Sequence, residues 1–274
     1  MTDRYALLGN PVGHSKSPPI HSHFAKALGH DIEYGLIEAP LDGFAAAALA
    51  FRDSGGKGGN VTAPFKLEAF ALATEKLERA QQAGAVNCLK FEPDGRILAE
   101  NFDGIGLARD IERNLGFAMK DKRVLVLGAG GATRGLLGPF LASEPAQLVV
   151  ANRDQAKAAA LAKQFAALGR VSGCGYADLK GERFDLVLNA TSASLRGELP
   201  PVDEAVFVHT QLACELVYGK GLTPFLRLAQ SAGVPQLADG VGMLVEQAAE
   251  AWVWWRGVRP DTRAVIEQLR VPLK

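Results

Sequence analysis

The run Gly128-Ala129-Gly130-Gly131-Ala132-Thr133-Arg134-Gly135 can bind phosphate without using a charged side chain. It lies between an apolar strand and a helix. Gly128 permits the tight turn, and Gly130 lets the backbone approach a pyrophosphate. That anion then caps the helix N-terminus, where unpaired N–H groups point. Residues Gly128, Ala129, Gly130, Gly131 and Ala132 are therefore candidate cofactor contacts. The third glycine of G-x-G-x-x-G is Thr133 here, so the fingerprint is imperfect. A sharp turn with nothing bound is the competing reading.

The end of the next strand selects the cofactor. An acidic residue about 20 positions on normally holds the ribose 2′-OH of NAD. This chain has Asn152-Arg153-Asp154, then Lys157 one turn into a helix. Arg153 and Lys157 can neutralise a 2′-phosphate, which predicts NADP. Asp154 pulls the other way unless it turns aside or pairs with Lys157. In the plainer reading all three are solvated residues of a helix start.

Four polar clusters punctuate the first part of the chain: Ser15-Lys16-Ser17, Asn60-Val61-Thr62-Ala63-Pro64-Phe65-Lys66, Ala85-Val86-Asn87 and Asn101-Phe102-Asp103-Gly104. Singly, each is an ordinary cap or turn, as with Ser17 before Pro18. Together they fall at successive strand ends, and open α/β sheets bind ligands at the carboxyl ends of their strands.

The elements that must position these groups alternate as short apolar runs and longer amphipathic stretches, the pattern of α/β architecture. Strands are expected at Tyr5–Leu8, Ile32–Ile37 and Gly58–Thr62. A hairpin is expected around Pro93-Asp94-Gly95, between Val86–Phe91 and Arg96–Leu98. Helices are expected from Pro18, with Ser17 as cap, over Phe44–Phe51, and from Gly104 to Leu115 on one apolar face. A second unit begins at Lys122. Val124–Leu127 is a continuous apolar strand of the kind buried on both faces of a parallel sheet. Leu148–Ala151, Phe184–Leu188 and Leu212–Val217 follow, with helices over Gln155–Leu168 and Gly242–Trp255.

Composition narrows the class. In 274 residues, 48% are hydrophobic and 22% charged, so a packed core is expected and disorder is not. Lys plus Arg and Asp plus Glu are both 30, which argues against nucleic acid as the main partner. No apolar run approaches a membrane span, and the N-terminus does not read as a secretory signal. The three cysteines, Cys88, Cys174 and Cys214, fit neither a disulfide framework nor a metal cluster, so no metal and a reducing cytoplasm are expected.

The polar clusters carry a resemblance. Gly9-Asn-Pro-Val-Gly-His-Ser-Lys-Ser-Pro18, Gly58-Gly-Asn-Val-Thr-Ala-Pro-Phe-Lys66, Ala83-Gly-Ala-Val-Asn87, the glycine turn with Asn152-Arg153, Asn189-Ala-Thr-Ser192, Tyr218 with Thr223-Pro224, and Asp239-Gly-Val-Gly-Met-Leu-Val-Glu-Gln247 resemble shikimate dehydrogenases, in that family's order. The resemblance implies an N-terminal α/β substrate domain and a Rossmann-like NADP-binding domain, with the C-terminal helices returning to the first. Residues 1–104 with 239–274 would form the first domain and 105–238 the second. The partner would be a small molecule, shikimate or a close analogue, and the protein a monomer or homodimer in the pathway to chorismate and the aromatic amino acids.

Carried over residue by residue, Lys66 and Asp103 match the catalytic pair. Oxidising a secondary alcohol removes a hydride and a proton, and the proton needs a positioned acceptor. A close Lys–Asp unit can relay it, and the reverse reaction uses the same groups as acid. Ser15 and Ser17 match the hydroxyls that hold the carboxylate. Thr62, Asn87 and Gln247 match groups around the ring hydroxyls, and Tyr218 another polar contact. Leu216 and Gly240 match positions flanking the nicotinamide. His14 is expected to orient the first loop, and His21, His23, His30 and His209 to be surface or packing residues.

Two departures stand out. Asn101-Phe102-Asp103-Gly104 has Phe102 where the family has threonine, and Asp154 stands where threonine is common. Phe102 is expected to line or crowd the substrate pocket, with Phe102→Thr raising kcat/KM for shikimate. A quinate/shikimate dehydrogenase, a paralogue with shifted substrate, or a non-catalytic ligand sensor on the same fold are the alternatives. Retention of both Lys66 and Asp103 counts against the sensor.

Overall fold

The computed structural model describes residues 2–273. The chain folds as two compact units. One contains residues 2–106 together with 245–265, and the other contains 107–244 together with 266–273. Residues 239–244 and the terminal segment thus pack with the second unit, whereas the sequence reading places them with the first.

The first unit opens with β1 (Asp3–Gly9), α1 (Ser17–Leu28), β2 (Ile32–Glu38), α2 (Phe44–Asp53) and β3 (Gly56–Val61). It continues with α3 (Lys66–Leu72), β4 (Glu75–Lys76), α4 (Glu78–Ala83), β5 (Cys88–Phe91) and β6 (Ile97–Glu100). Six strands form one sheet in the order β2-β1-β3-β5-β6-β4. β1 runs parallel to β2 and β3, while β5 and β6 form the expected antiparallel hairpin. The core on one side of this sheet contains Leu8, Phe44, Val61, Phe65, Leu89 and Ala99. Ser17 does not cap α1: the cap position is Lys16, without a side-chain bond, and the Ser17 N–H donates to Ser15 Oγ at 3.1 Å. The helix begins at Ser17 itself, and Pro18 and Pro19, which need no N–H partner, follow in its first turn.

The chain enters the second unit along α5 (Asp103–Arg109). The helix expected up to Leu115 stays α-helical only to Arg109, and a single π-helical turn follows over Asp110–Asn114. Then come β7 (Arg123–Leu127), α6 (Gly131–Ala142), β8 (Gln147–Ala151), α7 (Gln155–Phe165), β9 (Val171–Cys174), β10 (Leu186–Asn189), β11 (Leu212–Glu215), α8 (Pro224–Ser231) and β12 (Gln236–Ala238). These strands form a wholly parallel sheet, β12-β11-β10-β7-β8-β9, with the order reversing at β7. Its central strands are apolar on both faces. Val124, Val126, Leu186 and Leu188 join one core, and Leu125, Leu127 and Val187 the other. The last helices are α9 (Val241–Arg256) and α10 (Arg263–Leu269). Among the described residues no helix is long and apolar enough to cross a membrane.

Candidate functional site

Two chemistry-bearing constellations emerge, one in each unit. In the first unit, Lys66 opens α3 just after β3, and Asp103 opens α5 just after β6. Both sit at strand exits, 37 residues apart in sequence. Lys66 Nζ donates to Asp103 Oδ2 at 2.5 Å, and Asn87 Nδ2 donates to the other carboxylate oxygen at 2.8 Å. Asn87 Nδ2 also lies 3.4 Å from Gln247 Oε1. The amide of Asn87 is itself fixed, because the Phe102 N–H donates to its Oδ1 at 2.8 Å. The Asp103 N–H donates to Asn101 Oδ1 at 3.1 Å. Gly106 is required here: a Cβ would lie 2.7 Å from the Gln247 nitrogen, so only glycine lets α9 bring Gln247 this close to the start of α5.

A chain of buried groups extends from this cluster. Tyr34 donates its phenol proton to Asn60 Oδ1 at 2.7 Å, and Asn60 Nδ2 reaches the Asn87 carbonyl at 3.4 Å. Burial raises the Tyr34 phenol, which also faces Ser17. Ser17 is buried, Ser15 half-buried, and Thr62, also half-buried, follows directly on β3. The side chains of Lys66 and Asp103 remain 34% and 18% exposed, enough to meet a ligand. Lys66, Asp103, Asn87 and Gln247 therefore come together directly, with Ser17 linked through Tyr34 and Asn60. Asn60 and Tyr34 are not among the residues expected at the site. Asn60 was legible as the first residue of the polar cluster at the end of β3. Tyr34 carried no signal.

Phe102 overturns the expectation placed on it. Its ring is 2% exposed and packs with Cys88 and Ala251. Trp254 meets it edge-on at 5.7 Å, and the Arg79 guanidinium covers it at 5.3 Å. Arg79 is held in turn by Glu100 at 2.7 Å. The side chain is core packing, and its contribution to the site is the backbone N–H that orients Asn87. The histidines follow their expected packing role where contacts are seen: His21 is fully buried against Tyr34, and His30 Nδ1 accepts from Arg256.

The second unit holds the phosphate turn. Gly128 has φ +103°, a backbone region other residues enter only with strain, and its N–H donates to the Ala151 carbonyl at 2.7 Å. Thr133, at the position of the third glycine in the fingerprint, is buried, and its hydroxyl donates to the Gly128 carbonyl at 2.7 Å. It ties the turn to α6 where a glycine would only permit the approach. Gly130 caps α6 with no side-chain bond, and a Cβ at Gly130 or Gly131 would meet nothing within 4 Å. The helix N-terminus is thus open to an anion, and the residues fit a dinucleotide pyrophosphate. Ala132 is exposed beside them, whereas the side chain of Ala129 is in the core, leaving only its backbone for a ligand.

Asp154 turns aside. Its carboxylate accepts the Lys157 N–H at 3.1 Å and caps α7, and Asn152 Nδ2 donates to its carbonyl. Arg153 and Lys157 are exposed, and neither enters a salt bridge among the described residues. Two exposed cations at the end of β8 suit a 2′-phosphate. Leu216 follows β11, half-buried, and a Cβ at Gly240 would overlap its carbonyl oxygen, so these two backbones touch. Tyr218 lies two residues further on, exposed, with its phenol raised by partial burial. Among the described residues no group of three or more His, Cys, Asp and Glu is placed to hold a metal ion.

Comparison with known proteins covers both units. The family model of the shikimate dehydrogenase substrate binding domain matches residues 7–89, that of shikimate/quinate 5-dehydrogenase residues 108–196, and that of the shikimate 5′-dehydrogenase C-terminal domain residues 240–270. The chain is 56% identical over 273 residues to shikimate dehydrogenase (NADP(+)) of Nitrosospira multiformis, covering 100% of this chain and 99% of the relative. It is 53% identical to the protein of that name from Chromobacterium violaceum, with 98% of each covered. Among solved structures, an Ael1 enzyme from Pseudomonas putida is similar with 61% identity, TM-score 0.96 and 100% of both chains covered. Shikimate 5-dehydrogenase from Thermus thermophilus, in complex with NADP(H) and shikimate, has 31% identity and TM-score 0.85, with 97% of this chain and 98% of that one covered.

Proposed function

The chain belongs to the shikimate dehydrogenase family, and we propose that it interconverts shikimate and 3-dehydroshikimate with NADP, using Lys66 and Asp103 as the proton relay. The single observation that carries the mechanism is the Lys66 Nζ–Asp103 Oδ2 contact of 2.5 Å, with Asn87 bound to the second oxygen. NADP supplies the hydride acceptor, and Gly128, Gly130, Gly131, Asn152, Arg153 and Lys157 would hold it. In the forward direction the C–H electron pair leaves with the hydrogen as the carbonyl forms, and the hydroxyl proton passes to the Lys66–Asp103 unit. In reverse the unit returns that proton to the developing alkoxide. Such positioned proton transfer is worth about 10²–10⁴-fold.

Asn87, Gln247 and Thr62 present short neutral groups, which suits a polyol, because each buried unpaired hydroxyl is costly. Ser15, on the loop before α1, and Ser17, the first residue of α1, would take the carboxylate. Tyr218 completes the proposed substrate set as a polar contact, and Leu216 and Gly240 form the nicotinamide wall. The shikimate dehydrogenase names of relatives 53–56% identical over nearly the whole chain favour this reading over quinate oxidation or a silent sensor. The balanced net charge supports a small-molecule partner rather than nucleic acid. A cytoplasmic setting, in which three free cysteines stay reduced, belongs to the same proposal, as does a monomer or homodimer.

Steady-state assays with shikimate and quinate, each with NADP and NAD, test the assignment. Shikimate with NADP should give the highest kcat/KM. Turnover of quinate but not shikimate would move the substrate, and no turnover of either would remove the activity.

A further inference from the structure

The second unit contains a carboxylate that the mechanism does not use. Glu215 ends β11, is 1% exposed, and enters no salt bridge among the described residues. Burial raises its pKa. Four donors converge on it: Ser194 Oγ at 2.5 Å, Asn189 Nδ2 at 2.9 Å and Thr223 Oγ1 at 3.2 Å reach Oε2, and the Val217 N–H reaches Oε1 at 3.3 Å. A carboxylate is the side chain that accepts at both oxygens and donates at neither.

The network runs outward from there. Asn189 Oδ1 accepts from the Thr191 hydroxyl at 2.7 Å and the Thr191 N–H at 3.1 Å. The Thr191 methyl group lies 3.1 Å from where a Cβ of Gly128 would be, against the phosphate turn. On the other side, the Leu216 N–H donates to the Asn189 carbonyl at 3.2 Å, and the Leu216 carbonyl abuts Gly240. Thr223 caps α8 through the Leu226 N–H at 3.2 Å while holding Glu215. One buried carboxylate therefore joins the exits of β10 and β11, the Thr191–Ser194 turn, and the loop from Val217 to Thr223. These segments flank Gly128, Leu216 and Gly240.

We propose that Glu215 is a positioning residue for NADP: it holds the loop ends that shape the dinucleotide site and touches neither cofactor nor substrate. The proposal rests on the dinucleotide reading of this unit. Glu215→Gln keeps the shape but turns an NH₂ toward groups that donate, so the network must rearrange.

The test measures NADPH affinity by fluorescence titration and shikimate affinity by calorimetry without cofactor, in the full-length protein and in folded variants. Glu215→Gln should raise the NADPH Kd about tenfold or more and leave the shikimate Kd within about twofold. Thr191→Val keeps a methyl group against Gly128 and removes the hydroxyl's bond to Asn189 together with its longer bond from the Ala193 N–H. It should shift the NADPH Kd in the same direction by less, and the double variant should fall short of the product of the two effects. If Glu215→Gln does not fold, Thr191→Val alone decides by the same readout. NADPH affinity unchanged within twofold, or an equal loss of shikimate affinity, would overturn the role of Glu215. Failure of the unaltered protein to bind NADPH would overturn the dinucleotide reading as well.

Discussion

Asn87 donates to Asp103 Oδ1 with the same amide whose oxygen accepts the Phe102 N–H, so the backbone beside the carboxylate sets the orientation of the group that holds it. With one carboxylate oxygen on Asn87 and the other on Lys66, Asp103 has little rotational freedom. That preorganisation is what a proton relay needs.

Phe102 lies in a closed apolar nest with Trp254, Cys88 and Ala251. Phe102→Thr should therefore destabilise the protein, on the scale of about 3–5 kcal/mol for large-to-small changes at a buried Phe. It should bring no gain in kcat/KM for shikimate. Chemical denaturation alongside steady-state kinetics checks this. A stable variant with improved kcat/KM would put the ring back in the pocket.

Arg153 is an exposed cation, and Asp154 is occupied with capping α7. Arg153→Ala should raise KM for NADP and narrow its advantage over NAD, with kcat nearly unchanged, since the 2′-phosphate takes no part in the chemistry. Kinetics with both cofactors would show this. A fall in kcat at constant KM would contradict it.

His21 is stacked on Tyr34 at 4.1 Å, and burial lowers its pKa from 6.5 to about 3. The unfolded chain therefore takes up this proton first as pH falls below about 6.5. The contribution of His21 to stability is complete above that pH and is lost toward about pH 3, at up to about 1.4 kcal/mol per pH unit. Glu100 and Glu215, raised by burial, act in the opposite sense and favour the folded form at low pH. His21→Phe keeps a ring on Tyr34 and removes only the histidine contribution. Between about pH 7 and about pH 5, the urea midpoint should fall further in the unaltered protein than in the variant. Equal falls would mean that His21 titrates normally.

The parallel sheet of the second unit was legible because strands buried on both faces are continuous apolar runs, as in Val124–Leu127 and Leu148–Ala151. The glycine turn was legible because its backbone demands are local. β4 and β12, of two and three residues, are too short to show a period. Glu215 reads as the polar end of an apolar strand, and its partners Asn189 and Ser194 lie 26 and 21 residues away. No spacing rule joins them. Phe102 misleads because nearness in sequence to Asp103 is not nearness to the ligand. Successive side chains leaving a strand point to opposite faces, so Phe102 turns into the core while Asp103 turns to Lys66.

The most direct measurement is kcat for shikimate oxidation by NADP in the unaltered protein, Lys66→Ala and Asp103→Ala, with the NADPH Kd of each. The relay predicts a loss of about 10²–10⁴-fold in kcat in both variants and a Kd within about twofold of the unaltered protein. Turnover near that of the unaltered protein in both variants would contradict the mechanism.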